Sequence, residues 1–352
     1  MMDEVNENNN VVNRPRRRRL LLILVAAIAV VAILSAIGAA YLLPRRTGGD
    51  AWIRIPAGAS VESIRDSLVS SLGSVDGERV FSLWQLQNGD AAVAHGAYLI
   101  ADGEYLLKAA RRIATGRQTP VNAVWSDARS LDAMAERLTS RLECSAEDFV
   151  KACDEILPDS GYARAEFMAA FLPNKYEVYW TVSPRDLIGK LLDYRRRFWT
   201  EERRQKAAAL GLSEVEVATL ASIVEEETAK VDERPKIARL YLNRLKQGMM
   251  LQADPTVKFA VGDPTLRRIS GAHLKCQSPY NTYQNHGLPP GPIRIADQRT
   301  IDAVLDAPEH DYIFMCAKED FSGYHNFAVD YATHQANARR YQAELDRRGI
   351  RN

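Results

Sequence analysis

The chain is poor in cysteine and has no Cys-x-x-Cys pair in its 352 residues. Cys144, Cys153, Cys276 and Cys316 are scattered at spacings that do not suggest a zinc site. In an oxidising space they could pair, with undetermined connectivity, or they could stay as buried thiols. Charge excess is also missing. Lys and Arg number 46 against 45 Asp and Glu, so there is no electrostatic footprint of general nucleic-acid binding. Hydrophobic content is ordinary for a globular protein, and the length allows two domains beyond an anchor.

One local run is unusual. Leu20–Leu43 contains no charged residue and is almost wholly Leu, Ile, Val and Ala. As a helix it would be roughly 36 Å long at about 1.5 Å per residue, enough to span a hydrocarbon core of about 30 Å with some tilt. Arg14 and Arg16–Arg19 precede it and only Arg45 and Arg46 follow. The positive-inside rule therefore puts residues 1–19 in the cytoplasm and the rest outside. The run is too long for the h-region of a cleaved signal peptide, although small residues at Ser35–Ala40 could serve a cleavage site. The expected organisation is a cytoplasmic tail (1–19) with a polar, disordered Met1–Asn13, a single transmembrane helix (20–43) and a linker (44–50). A LysM-like and connecting α+β module (51–160) and a mixed α+β catalytic domain (161–352) follow.

In the first module Trp52–Pro56 alternates like a strand, Ser60 opens a helix and Gly77–Gln87 forms a second. Gly96–Ile100 reads as a returning strand and Tyr105–Ile113 as a third helix. This strand–helix–helix–strand order, with Ile-Pro-x-Gly-x-Ser at Ile55–Ser60, resembles a LysM-type glycan-binding module. A generic α+β packing domain fits equally. Further on, Val121–Ser126 reads as a strand, and Ser130–Leu138 and Ser145–Ile156 as helices. Phe171–Trp180 is a loop entering an extended segment, and Pro184–Phe198 is a helix with Arg195–Arg197 on its wet face. Asp232 reads as the cap of a helix running to Gln247. Ala296–Ala307 and Tyr331–Arg347 are further helices, around strands at Tyr312–Ala317 and Gly323–Phe327.

The most informative stretch is Ala221–Val231, the end of a helix opened by Ser213 and Glu216 in capping-box spacing. Val217, Leu220, Ala221 and Val224 form its apolar stripe. On the helical wheel Glu226 falls on the solvated side, while Glu225 and Glu227 flank the stripe. Small alanines beside Glu225 leave room for a substrate. A carboxyl at an apolar margin is partly desolvated, which favours the protonated form a general acid needs. The alternative is simply the charged end of an amphipathic helix.

Several motifs then coincide. They are Ala221-Ser-Ile-Val-Glu-Glu-Glu-Thr228, Arg244-Leu with Gly248-Met-Met-Leu-Gln-Ala-Asp-Pro-Thr-Val257, Ser278-Pro-Tyr-Asn-Thr-Tyr283, Gly287-Leu-Pro-Pro-Gly-Pro-Ile293 and Gly323-Tyr-His-Asn-Phe327. In this order they resemble the YceG-like family of membrane-anchored endolytic murein transglycosylases, the MltG group, over most of Ala51–Asn352. The chain departs from the family at Ala169-Ala-Phe-Leu-Pro-Asn-Lys-Tyr176, where many members have Glu-Gly and an aromatic-Pro-Asp-Thr-Tyr segment.

The resemblance implies a lyase cutting MurNAc–GlcNAc bonds in nascent glycan strands with a 1,6-anhydro product, and so ending strand elongation. It implies one catalytic carboxylate, Glu225, acting as acid and then as base, with no cofactor and no metal. Glu227, Gln252, Asp254, Tyr280, Asn281, Thr282, Tyr283 and His325 are candidate substrate-binding residues. Asp254 before Pro255 also reads as a helix cap, Glu227 as a backbone cap, and Tyr280–Tyr283 as a hydrogen-bonded loop core. The implied partners are peptidoglycan strands, the bacterial inner membrane and candidate peptidoglycan synthases, with no nucleic acid. The competing reading is a non-catalytic glycan-binding scaffold. A third, a pyridoxal-phosphate aminodeoxychorismate lyase, conflicts with an anchored extracytoplasmic chain.

Overall fold

A computed structural model describes residues 14–263, 266 and 269–350. The polar segment Met1–Asn13 lies outside the described residues. The chain is mixed α+β and divides into two compact units, Met1–Pro120 and Val121–Asn352. The boundary drawn from the sequence at residue 160 falls inside the second unit, because the strand at Val121 pairs with one at Asn174.

Helix α1 (Arg14–Leu42) holds the apolar run. Its Arg18–Ala40 portion is long and apolar enough to cross a membrane, and its Leu, Ile and Val side chains lie exposed. Strand β1 (Ala51–Ile55) is followed by helices α2 (Val61–Leu72) and α3 (Ser74–Leu86), the single turn α4 (Ala91–Ala94), strand β2 (Gly96–Ile100) and helix α5 (Leu106–Ala114). β1 and β2 are antiparallel, with Ala51 opposite Ile100 and Ile55 opposite Gly96. The period-2 face of β1, residues Ala51, Ile53 and Ile55, is buried against Ile64 and Leu68 of α2 and Trp84 of α3. Ser60 caps α2 by accepting the Ser63 N–H, as expected.

α3 starts earlier than the sequence suggested. Gly77 lies inside it as the contact with α2, where a Cβ would come within 2.5 Å of Val69 Cα. The 44–50 segment is also less free than a linker. Arg46 N–H donates to Glu104 O, and its guanidinium donates to Leu72 O at 2.6 Å.

In the second unit β3 (Val121–Trp125) leads to α6 (Leu131–Thr139) and α7 (Ala146–Ile156). β4 (Asn174–Val178) then pairs antiparallel with β3, with Val121 opposite Val178. α8 (Pro184–Phe198), α9 (Glu201–Ala209) and α10 (Glu214–Glu227) follow, then α11 (Arg234–Lys246), α12 (Asp254–Val261) and α13 (Gln298–Leu305). A hairpin of β5 (Phe314–Ala317) and β6 (His325–Ala328) and helix α14 (Tyr331–Arg347) complete the unit.

α10 opens with the expected reciprocal capping box between Ser213 and Glu216. It is not a striped surface helix, however. Every residue from Val217 to Val224 is buried, which makes it the central helix of the core. Leu220, Ile223 and Val224 are fully sequestered, each contributing on the order of 2 kcal/mol. The polar positions in this run are satisfied locally. Ser222 donates to Thr219 O and accepts the Ile293 N–H at 3.0 Å. That bond holds the Gly287–Ile293 loop on the helix.

Two expectations about charged residues are corrected here. Arg195 is buried, donating to Ala169 O and pairing with Glu214 at 2.6 Å, so the loop before β4 draws it off the wet face. Asp232 does not cap α11. A short 3-10 turn (Val231–Glu233) precedes that helix, and the Asp232 carboxylate accepts the Tyr324 hydroxyl. All four cysteines are free thiols.

Gly291 packs its backbone on the segment before β4, and a Cβ there would lie 1.9 Å from Ala165 O. Gly291→Ala is expected to destabilise by about 3 kcal/mol through forced backbone separation. That is a fall in Tm of roughly 6–12 °C for a unit of this size, read by scanning calorimetry.

Candidate active site

Three consecutive carboxylates at a helix C-terminus oppose the helix dipole. Here they are accommodated by separate surroundings. Glu225 has a side chain only 8% exposed. Its Oε2 accepts the Asp297 N–H and the Thr300 hydroxyl, both at 2.8 Å. Its Oε1 meets Arg294 at 3.1 Å, and Arg234 stands 3.9 Å from Oε2. Glu225 thus ties the end of α10 to the N-terminus of α13.

Glu226 is not solvated as its wheel position predicted. It is 19% exposed, held by both nitrogens of the Arg129 fork at 3.1 Å and by Arg294 at 2.7 Å. Arg294 is the common partner of both carboxylates and of Asp127.

Glu227 differs from both. It borders an open cleft of about 390 Å³ whose walls come from α10, α11, the Leu251–Asp254 segment, Tyr283, the β5–β6 hairpin and α14. Its Oε1 accepts the Tyr241 hydroxyl at 2.7 Å, and no arginine is paired with it among the described residues. Burial pushes its carboxyl up to about 7, with the Asp254 charge adding to the shift and the Tyr241 bond opposing it. Tyr241 is buried and held well above the usual phenol range, first by desolvation and then by the Glu227 charge, so it stays a donor.

Glu225, the acid expected from the sequence, is locked in an arginine cage outside the cleft lining, and Glu227, expected only to bind substrate, faces the cleft. The wheel could not separate them. What distinguishes them is the position of Arg234 and Arg294, distant in sequence. Glu227 caps no backbone group among the described residues; its carboxylate accepts the Tyr241 hydroxyl instead.

The other candidates divide as well. Gln252, Asp254, Tyr283 and His325 line the same cleft. Gln252 sits at φ 52°, an uncommon left-handed conformation for this residue type. Its Oε1 accepts from Arg244, whose guanidinium also donates to Met250 O and Ile313 O. With Oε1 fixed this way, the amide NH2 is the end left for another acceptor. Asp254 is the first residue of α12, after Ala253 at the cap position, and it accepts the Tyr283 hydroxyl at 2.8 Å. Burial first, and then that bond, push the Tyr283 phenol up and keep it protonated.

Asn281 and Thr282 are fully buried and structural. Asn281 donates to Leu274 O and Cys276 O, and Thr282 bonds Ala253 N–H and Thr256. Tyr280 packs against Phe259, with ring centroids 4.7 Å apart and the planes tilted by 49°. These three are placed in the loop core rather than on the cleft.

Sequence reasoning missed Tyr241, Arg244, Phe314, Tyr331 and His334, which also line the cleft. The Phe314 and His334 rings stack at 5.3 Å, with Tyr331 5.9 Å from Phe314, forming an aromatic wall suited to a sugar face. Among the described residues, no group of three or more His, Cys, Asp or Glu side chains is placed to hold a metal ion.

The sequence model of the YceG-like family matches residues 53–340. A Bacillus subtilis protein named endolytic murein transglycosylase is 44% identical over 102 residues, which are 29% of this chain and 28% of that one. A Streptococcus pneumoniae protein of the same name is 30% identical over 172 residues, 46% of this chain and 30% of its own. The chain therefore aligns with less than a third of the length of these relatives. The crystal structure of a YceG-like protein from Listeria monocytogenes shares the fold. Its TM-score is 0.54 at 23% identity, over 82% of this chain and 99% of that one.

Proposed function

The chain belongs to the YceG-like family, and from that premise we propose that the Glu227 cleft is the active site of a peptidoglycan lytic transglycosylase. The observation that carries this reading is one carboxyl, pushed up to about 7 by burial, standing beside an open polar cleft with an aromatic wall. Near neutral pH a substantial share of Glu227 holds its proton, and general acid catalysis works best at such a match.

In the proposed reaction Glu227 protonates the glycosidic oxygen between N-acetylmuramic acid and N-acetylglucosamine. The C1–O bond breaks toward that oxygen. The muramoyl C6 hydroxyl then closes on C1, losing its proton to a base of the cleft and leaving a 1,6-anhydro end. Paired-carboxylate glycosidases need a second carboxylate, ionised, as the base that activates water or the nucleophile that attacks the sugar. Here the nucleophile belongs to the substrate, and no water is consumed. Glu225, assigned the acid role by the family motif, becomes the anchor that positions the helix end.

Gln252 and Asp254 present polar groups to the sugar, and Phe314, Tyr331 and His334 offer it a stacking face. α1 is the proposed single-pass anchor in the bacterial inner membrane, with the two units outside the cytoplasm. From there the enzyme would act on nascent strands beside the wall synthases and terminate their elongation. The first unit, with its strand–helix–helix–strand order, is the candidate LysM-like module for holding glycan.

The test is digestion of purified peptidoglycan by the full chain in detergent, with products read by mass spectrometry. Internal cuts carrying 1,6-anhydro ends are expected. Hydrated reducing ends would remove the lyase assignment, and binding without cleavage would favour a glycan-binding scaffold.

A further inference from the structure

The proposed reaction releases one proton, that of the C6 hydroxyl, and Glu227, ionised by its first step, is not the one group of the cleft able to take it. A second acid–base group stands in the same cleft. His325 opens β6 and is 15% exposed, and Glu233 behind it is 5% exposed. Glu233 Oε2 lies 2.7 Å from His325 Nδ1, while its Oε1 accepts the His325 backbone N–H at 2.8 Å. Oε2 also accepts the Thr228 hydroxyl at 3.2 Å. As a carboxylate, Glu233 offers only acceptors, so Nδ1 must carry the hydrogen. The ring edge bearing Nε2 is then the one turned from Glu233, on a residue that lines the cleft. No partner for Nε2 is present among the described residues. In its neutral form the ring therefore presents a lone pair where substrate would lie.

The pair is also tied to the acid. Thr228, which bonds Glu233, is the residue after Glu227 and ends α10. One carboxylate thus fixes both the imidazole and the backbone position that follows the acid. This is the arrangement of a base oriented by a buried carboxylate, which holds the tautomer and stabilises the imidazolium that forms.

We propose that His325, oriented by Glu233, is the base that takes the C6 hydroxyl proton while Glu227 serves as the acid. The inference rests on the lytic transglycosylase reading. The Glu227 proton goes to the leaving oxygen as the C1–O bond breaks. The C6 oxygen forms its bond to C1, and its proton passes to His325 Nε2. Both groups then return to their starting states by exchanging one proton each with solvent. Glu233 is a positioning residue, since it reaches the substrate only through the imidazole.

The test uses the full chain in detergent. H325A should lower kcat by about 100- to 10,000-fold with KM little changed, and added imidazole should restore part of the rate through the space left at the cleft wall. E233Q should lower kcat as well and release the fixed tautomer, read by 15N NMR of the ring nitrogens. A parent-like kcat in H325A overturns the proposal, and so does a loss that imidazole does not rescue.

The tautomer of the unmodified protein gives an independent reading. Hydrogen at Nδ1 is expected, and a ring carrying its hydrogen at Nε2 alone would overturn the base role even if H325A failed to fold. Failure of the lytic transglycosylase reading looks different, because the unmodified chain would then form no anhydro ends. The base role falls with it in that case.

Discussion

E227Q is expected to lose about 100- to 10,000-fold in turnover of peptidoglycan, the range a positioned general acid supplies. The amide keeps the size of the side chain and can still meet the Tyr241 hydroxyl, but it has no proton to give. E225Q should behave in the opposite way. Its carboxylate closes a cage of Arg294, Arg234, Thr300 and the Asp297 N–H, so neutralising it takes from the buried Arg234 its one ion pair among the described residues, while Arg294 keeps Glu226 and Asp127. Breaking a buried pair costs roughly 3–5 kcal/mol, so E225Q should melt at lower temperature while retaining most activity well below its transition. Steady-state kinetics and thermal melts of the two variants side by side separate the roles. An inactive but stable E225Q beside an active E227Q would return the acid to Glu225.

The same substitution should stabilise the fold at alkaline pH. The Glu227 carboxyl sits at about 7 in the folded chain, against an ordinary value of 4.5, because burial penalises its charged form. The folded chain therefore binds the proton more tightly than the unfolded chain. This stabilising contribution is complete below about pH 4.5 and is lost as pH rises through about 7. At pH 8 the parent holds a desolvated charge that E227Q lacks. A displacement of this size corresponds to on the order of 3 kcal/mol, reduced where cleft water screens the group. Melts should show E227Q ahead of the parent by several degrees at pH 8 and level with it near pH 4. A parent no less stable than E227Q at pH 8 would mean that the carboxyl is well solvated.

Much of the architecture was legible because it rests on local signals. Ser60, Ser145 and Ser213 cap where side-chain oxygen meets the third residue on. The bounds read for Pro184–Phe198 and Tyr331–Arg347 match the helices, which Ser183 and Asp330 cap. What local signals could not carry was the environment of each carboxylate. Glu225, Glu226 and Glu227 are chemically identical and adjacent, and the motif alone pointed to the first of them. Their difference comes from Arg129, Arg234 and Arg294 and from Tyr241, which folding brings in from other elements.

Periodicity also misplaced solvent. α10 reads as striped, yet α11, α13 and the Ser222-anchored loop cover it all round. The candidate binding residues were partly legible for the same reason. Gln252, Asp254, Tyr283 and His325 do meet at one cleft, whereas Asn281 and Thr282 spend their polar groups on neighbouring backbone and Thr256. The aromatic wall was invisible because its members come from β5 and α14, and pairing between a strand and a helix leaves no spacing rule to read.

The most direct measurement is the titration of Glu227 itself. In the full chain labelled with 13C at glutamate carboxyls, its resonance is the one missing from E227Q. A midpoint near 7 is predicted, coinciding with the pH above which activity declines. A midpoint near the ordinary 4.5, with Glu227 ionised throughout the active range, would contradict a desolvated acid at the centre of the cleft.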